Sequence, residues 1–326
     1  SERVALLAAT IAAAIGGDQD MAVRAARLSR CDLMTEMVNE FADMQGVMGC
    51  YQAQRDGEDD EIATAMEEFY LPRFSGDILP QTKTGIAIAL AERLDTLVGI
   101  FGIGQKPTGD KDPFALRRAS IAILRILREL QLPLSIDTLL EEAKTALGEK
   151  ISDKAVVTEV KSYMLERLRG IYAENGTDAD IFQAVAKVNP HTLDDFDARI
   201  SAVTAFRELP EAESLAAANK RINNLLKKVE GDLPAEIDTA LIEKEAETLL
   251  LEQLTQTQQK VAPLIASREY TQALQSMAQL RDATDSYFDD VMVMAEDIAI
   301  RNNRLAMLNR LNELFLEVAD ISALQS

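Results

Sequence analysis

The side chains best suited to chemistry in this chain are cations, and their spacing points to phosphate. Between Pro113 and Arg128 stand four arginines and no acid, in a chain of 326 residues whose net charge is −20. At about 100° per residue, with Arg117 at zero, Arg128 falls at about 20°, Arg125 at about 80° and Arg118 at about 100°. Ile123, Ile126, Leu127 and Leu130 lie roughly opposite, between about 180° and 280°. The pattern predicts a helix with an apolar face for the core and an arginine stripe away from it. A solvated face with internal salt bridges competes with this reading, but the missing acids favour a surface that meets phosphate. The loop GIGQKPTGDK before it adds Lys106 and Lys111.

A second stripe lies in Ala216–Val229. With Lys220 at zero, Lys227 falls at about 340°, Asn224 at about 40°, Lys228 at about 80° and Arg221 at about 100°. Ile222, Leu225, Leu226 and Val229 point the other way. Four cations suit an RNA backbone, and an asparagine among them could read a base edge. A plain solvated face competes here too. A third cluster, Arg301, Arg304 and Arg310 with Asn302, Asn303 and Asn309, does not share one face, because Arg310 falls opposite Arg301. At least one of these arginines is expected to be structural.

Groups for acid–base or metal chemistry are scarce. His191 is the single histidine, so no three-histidine metal site can form, and in Asn-Pro-His-Thr it reads as a solvated loop residue. Cys31 and Cys50 give neither a disulfide framework nor zinc spacing. There is no dinucleotide-binding glycine fingerprint and no Gly-Lys-Ser/Thr phosphate loop. Asp285, Asp289 and Asp290 lack the glycine turn and terminal glutamate of a calcium loop, so they read as solvated acidic surface. Met292 and Met294 are expected in the core.

The elements that carry these residues read as helices almost throughout. The chain is 47% hydrophobic with only 15 glycines and 9 prolines, a balance that favours helix and leaves no strand-like alternation. Asp18 and Ser135 are expected to cap helices, as is Ser152, and Asp112-Pro113 is expected to start one. Helix is expected over 236–262, 268–283, 285–297 and 299–320. The polar stretch Ala173–Asp178 marks a boundary, which predicts domains at 1–175 and 176–326. No apolar run is long enough to cross a membrane, and a cytoplasmic setting is expected. Net acidity repels nucleic acid in bulk, so any such binding must be local. An opening on Ser1 rather than Met predicts a piece of a longer polypeptide.

The wording of several segments is specific. LAERLDTLVGIFGIGQKPTGDKDPFALRR (90–118) resembles a signature of the beta subunit of bacterial heterotetrameric glycyl-tRNA synthetase. CDLMTEMVNEF (31–41), FYLPRFSGDILP (69–80), FDARISAV (196–203), AAANKRINNLL (216–226) and NRLAMLNRL (303–311) are similar to the same family, in order along the chain. The likeness covers the C-terminal part of that subunit.

The resemblance implies an all-α protein: an HD-like helical domain, then a helical-bundle anticodon-binding domain of the arginyl-tRNA synthetase type. It implies that ATP and magnesium serve the separate alpha subunit, that no cofactor belongs to this part, and that the partners are tRNA(Gly) and the alpha subunit in a tetramer of two alpha and two beta. In HD phosphohydrolases histidines and aspartates hold a metal. Here the corresponding positions are Cys31, Asp32 and Asp95, so a degenerate, metal-free site and no catalytic residue are expected. Lys106, Lys111, Arg117, Arg118, Arg125 and Arg128 become candidates for the acceptor side of tRNA. Lys220, Arg221, Asn224, Lys227, Lys228, Arg301 and Arg304 become candidates for the anticodon side. The alternatives are a divergent metal phosphohydrolase, or a scaffold that docks the alpha subunit with its basic faces salt-bridged internally.

Overall fold

Alanine, leucine and isoleucine at helical spacing carry the chain from one helix to the next, and the all-α expectation holds: no strand occurs among the described residues. The structure, a computed structural model, describes residues 2–107, 112–151, 155–229 and 231–324. The helices are α1 (Glu2–Ala14), α2 (Gln19–Leu28), α3 (Glu36–Glu40), α4 (Val47–Arg55), α5 (Asp60–Glu68), α6 (Lys83–Gly102), α7 (Leu116–Glu129), α8 (Ile136–Leu147) and α9 (Val156–Glu174). Then come α10 (Ala179–Ala186), α11 (Leu193–Arg207), α12 (Ala212–Leu226), α13 (Glu245–Ala266), α14 (Tyr270–Ala278), α15 (Arg281–Asp290) and α16 (Ile298–Leu316). None of them is long and apolar enough to cross a membrane.

The chain divides into two compact units, Ser1–Ile171 with His191–Asp194, and Tyr172–Pro190 with Asp195–Ser326. The division falls inside α9 rather than in the polar stretch at 173–178. Tyr172, in the last turn of α9, packs its ring within 5.7 Å of Phe182 and 5.3 Å of Phe196, so aromatic contact draws that turn into the second core.

In the first unit α6 is the central helix. It is buried without a break from Thr84 to Ala91, as expected of an apolar segment packed on every side, and beyond that it buries Leu94, Leu97, Val98 and Phe101. Helices α1, α2, α5, α7 and α8 pack against it. Gly85 is required where buried Glu68 meets the start of α6: an added Cβ would stand 1.9 Å from the carboxylate. Glu68 accepts from the backbone of Gln81 at 2.7 Å and Thr82 at 3.1 Å.

The expected caps at Asp18 and Ser135 are present, accepting from Met21 at 3.0 Å and Thr138 at 3.4 Å. Ser152 lies outside the described residues. The start of α7 differs from expectation. Pro113 is not in the helix, which begins at Leu116 after Ala115 takes a left-handed φ of 56°. Asp112 still caps it, reaching across the turn to the N–H groups of Leu116 at 2.8 Å and Arg117 at 2.9 Å.

In the second unit α12 packs on α15, α16 and the C-terminal turn Ile321–Ala323, while α13 packs on α14, α15 and α16. Half-buried Arg199 ties this unit together, bonding Asp195 at 2.9 Å and the carbonyls of Glu317 and Val318 at 2.7 Å each. Residues 236–244 are not helical apart from one turn at Thr239–Leu241; α13 begins only at Glu245, where Glu247 accepts from the N–H groups of Glu243 and Lys244. The helix expected over 285–297 stops at Asp290, and this reverses the reading of the methionines. In extended backbone alternate side chains face opposite sides. Val291 and Val293 turn inward, each 5% exposed, and Met292 and Met294 turn out at 75% and 47%.

Candidate nucleic-acid interface

The first basic stripe sits on α7, whose apolar face, Leu116, Ile123, Leu124, Ile126 and Leu127, is buried. Its cations are largely engaged by the protein. Arg125 pairs with Glu129 at 2.7 Å and donates to the carbonyl of Asp77 at 3.0 Å. Lys106 pairs with Glu159 at 2.6 Å. Neither Arg117 nor Arg128 is without an interaction partner, and both are half-buried. Lys111 lies outside the described residues. Only Arg118 among the described α7 arginines is fully exposed. It borders a cleft of about 920 Å³ that also takes in Arg73, Phe74 and Phe114. Arg93, on the same cleft, is structural: it donates to the carbonyls of Ala89 at 2.8 Å, Tyr70 at 3.0 Å and Phe69 at 3.1 Å, and burial pulls its pKa down to about 10.

The second stripe is different. On α12, Ala212, Leu215, Ala216, Ala218, Asn219 and Ile222 are buried, which holds the opposite side outward. Lys220, Arg221, Asn224, Lys227 and Lys228 are all exposed. Among the described residues none of these four cations forms an ion pair. The helix ends three residues earlier than expected, at Leu226, with Lys227 as its C-cap and Lys228 in the following turn. Two lysines there lie at the negative end of the helix dipole, which favours them by about 0.3–1 kcal/mol each. Arg221 stacks over the ring of Phe288 on α15, 4.2 Å from its centroid.

The third cluster needs a correction. Arg304 belongs to the interior: it is 4% exposed and bonds Glu247 at 3.0 Å, Glu243 at 2.9 Å and the carbonyl of Met292 at 3.1 Å. Its charge is answered by two carboxylates, and it has no face left for an RNA phosphate. Asn303 likewise turns inward, to the backbone of Asp238. Arg301, half-buried on the same helix, stands apart from the α12 group in sequence. Arg310 donates to the neutral amide oxygen of Gln258 at 2.6 Å, beside a cleft of about 1170 Å³ that reaches Leu226 and Val229. Asp232, Glu236 and Glu313 also line that cleft.

The positions that would correspond to metal ligands do not fit a metal. Asp32 is buried and accepts from the N–H of Gly46 at 2.7 Å. Asp95 is held by both arms of the Arg3 guanidinium, at 2.8 and 3.0 Å. Cys31 is exposed. Among the described residues no three histidine, cysteine or acidic side chains converge. Each carboxylate serves the fold instead.

Two features escaped the sequence reading. Phe288 was not seen, because an aromatic between acids on α15 gives no sign that an arginine of another helix lies over it. Arg310 was set aside because the wheel for α16 alone could not show Gln258 of α13 beside it.

A profile of the glycyl-tRNA synthetase beta subunit matches residues 1–187. The chain belongs to that family. A second profile, the DALR anticodon binding domain, matches residues 215–325, which contain most of α12 and all of α13 to α16. The glycine–tRNA ligase beta subunit of Pasteurella multocida is 52% identical over 323 residues, covering 99% of this chain and 47% of the relative. That of Aeromonas salmonicida is 51% identical over 324 residues, and that of Tolumonas auensis 52% over 325, again with 47% of the relative covered. The beta-subunit chain described here thus spans about half the length of the curated relatives it matches.

Proposed function

We propose that this chain is a tRNA-binding, noncatalytic part of a glycine–tRNA ligase, and that its second unit grips tRNA(Gly) along α12. The observation that carries the reading is the set of exposed cations Lys220, Arg221, Lys227 and Lys228, which form no ion pair among the described residues, with Asn224 among them, in a unit that matches an anticodon binding domain. Cations without carboxylate partners are available to displace counterions from an RNA backbone. Glycine activation with ATP and magnesium would reside on a partner alpha subunit in a tetramer of two alpha and two beta chains, in the cytoplasm, and this chain would position the tRNA for it. Arg118 is the remaining described candidate on α7 for a contact nearer the acceptor end.

The scaffold alternative predicts basic faces that are salt-bridged internally. That describes α7 well and α12 poorly. A metal phosphohydrolase finds no support in the arrangement of Asp32 and Asp95.

The test is binding of labelled tRNA(Gly) to the full chain by fluorescence anisotropy across a salt series, with unrelated tRNA as competitor. Affinity should fall steeply with salt, and unlabelled tRNA(Gly) should compete better than the unrelated tRNA. Salt-insensitive or absent binding would count against the reading.

A further inference from the structure

The contact between Arg221 and Phe288 has a form that RNA can use. Phe288 is half-exposed on α15, and the guanidinium carbon of Arg221 lies over its ring, 4.2 Å from the centroid. The platform beneath is fixed. Neighbouring Tyr287 is fully buried, donates its hydroxyl to the carbonyl of Arg304 at 3.2 Å and packs edge-on to Phe288 with centroids 6.0 Å apart. Asp285, one turn before Phe288, is tied to α12 by Ser214 at 2.7 Å, which holds the two helices in register.

Around the ring the chemistry is divided. On the α12 side stand Lys220 and Asn224, exposed and flanking Arg221. On the α15 side stand Asp289 and Asp290, also exposed. A phosphate is attracted to the first group and repelled by the second, so a backbone would run along α12 with its bases directed toward α15. A base so directed meets an aromatic face already covered by a planar cation. Planar base and planar guanidinium can occupy the same stack, since every base has a π face and arginine adds a cation–π contribution.

We propose that Arg221 and Phe288 form a stacking clamp for one unpaired nucleobase of the RNA held along α12. The site deepens the RNA-binding reading and rests on it. The base must be unpaired, because within a duplex both its faces are already stacked. Asn224, one turn beyond Arg221, is placed to hydrogen-bond the base edge.

The chain contains no tryptophan, so Phe288→Trp installs a single reporter at the site. The probes are a tRNA(Gly) anticodon hairpin and a blunt RNA duplex of equal charge. The hairpin should quench the emission of the Phe288→Trp variant and bind it within about threefold of the parent, while the duplex leaves emission unchanged. Phe288→Leu, which keeps an apolar side chain without a π face, should weaken hairpin binding about tenfold, in the range of one lost base stack. Unchanged emission at saturating hairpin, equal quenching by duplex, or parental affinity in Phe288→Leu would each overturn the clamp while leaving tRNA binding standing. Should Phe288→Leu lower the melting temperature, the Phe288→Trp result decides alone. Failure of the parent chain to bind the hairpin at low salt overturns both the clamp and the reading it rests on.

Discussion

Helix α7, and α12 with the turn that follows it, each present four cations, yet those cations meet different surroundings. On α7 Arg125 pairs with Glu129 in the last turn of the same helix and donates to the Asp77 carbonyl of a preceding loop, and Glu159 pairs with the adjoining Lys106. On α12 the neighbours bring one aromatic ring and, among the described residues, no carboxylate within ion-pairing distance of the cations. Cation spacing alone does not determine a stripe's role; what stands within reach of its side chains, on the same helix or elsewhere, does. In an acidic chain an unpaired cationic face is unusual, because acids are available almost everywhere to pair with it.

Arg304 is the limiting case of an engaged cation. Arg304→Ala leaves Glu247, which is fully buried, without its partner, and should cost the second unit about 3–5 kcal/mol in urea unfolding. Next, Lys220→Glu combined with Lys227→Glu should weaken tRNA(Gly) binding roughly 10- to 100-fold near 0.1 M salt, about 1.4–2.8 kcal/mol, with little change in melting temperature. Arg125→Ala should show the opposite profile. Stability should fall by about 1 kcal/mol from the lost part-buried hydrogen bonds, while tRNA affinity stays within about twofold. Equal effects of the α7 and α12 variants on affinity would erase the distinction.

The smallest effect concerns the last turn of the second unit. Burial by itself would raise the Asp320 carboxyl, but the bonds from Lys187 at 2.8 Å and from Ser322, with the Lys187 charge, hold it below the ordinary carboxylate range. A depressed folded-state value means the stabilisation is present above the unfolded pKa of about 3.9 and is lost as pH falls through the lower folded value. Unfolding followed by circular dichroism should therefore show a modest loss of stability below about pH 4, and Asp320→Asn should remove that part of the pH dependence.

Much of the helical fold was legible because its signals are local. Caps such as Asp18 and Ser135 act within a few positions of where they stand. The family resemblance was equally legible in long, ordered segments. The sites were less so, because a charge's partner is set by tertiary packing. The glutamates that bury Arg304 are 57 and 61 residues away in sequence, and Arg3 reaches Asp95 across 92. One partner was within reach of the wheel: Glu129 follows Arg128 directly and lies four residues beyond Arg125. Ending the acid-free window at Arg128 made the α7 stripe look more open than it is. The methionines at 292 and 294 were expected in the core, but the helix expected over 285–297 stops at Asp290 and both side chains turn out.

The α12 cations are expected to meet RNA phosphates, while Arg125 and Arg128 of α7 are engaged by their own fold. The slope of log K against log salt for tRNA(Gly) tests this contrast most directly, because each neutralised phosphate contributes about 0.7 to 0.9 to that slope. Replacing Lys220 and Lys227 by alanine should reduce the magnitude of the slope by roughly 1.4–1.8, and replacing Arg125 and Arg128 should leave it unchanged. An unchanged slope for the α12 pair, or an equal reduction for the α7 pair, would contradict the account.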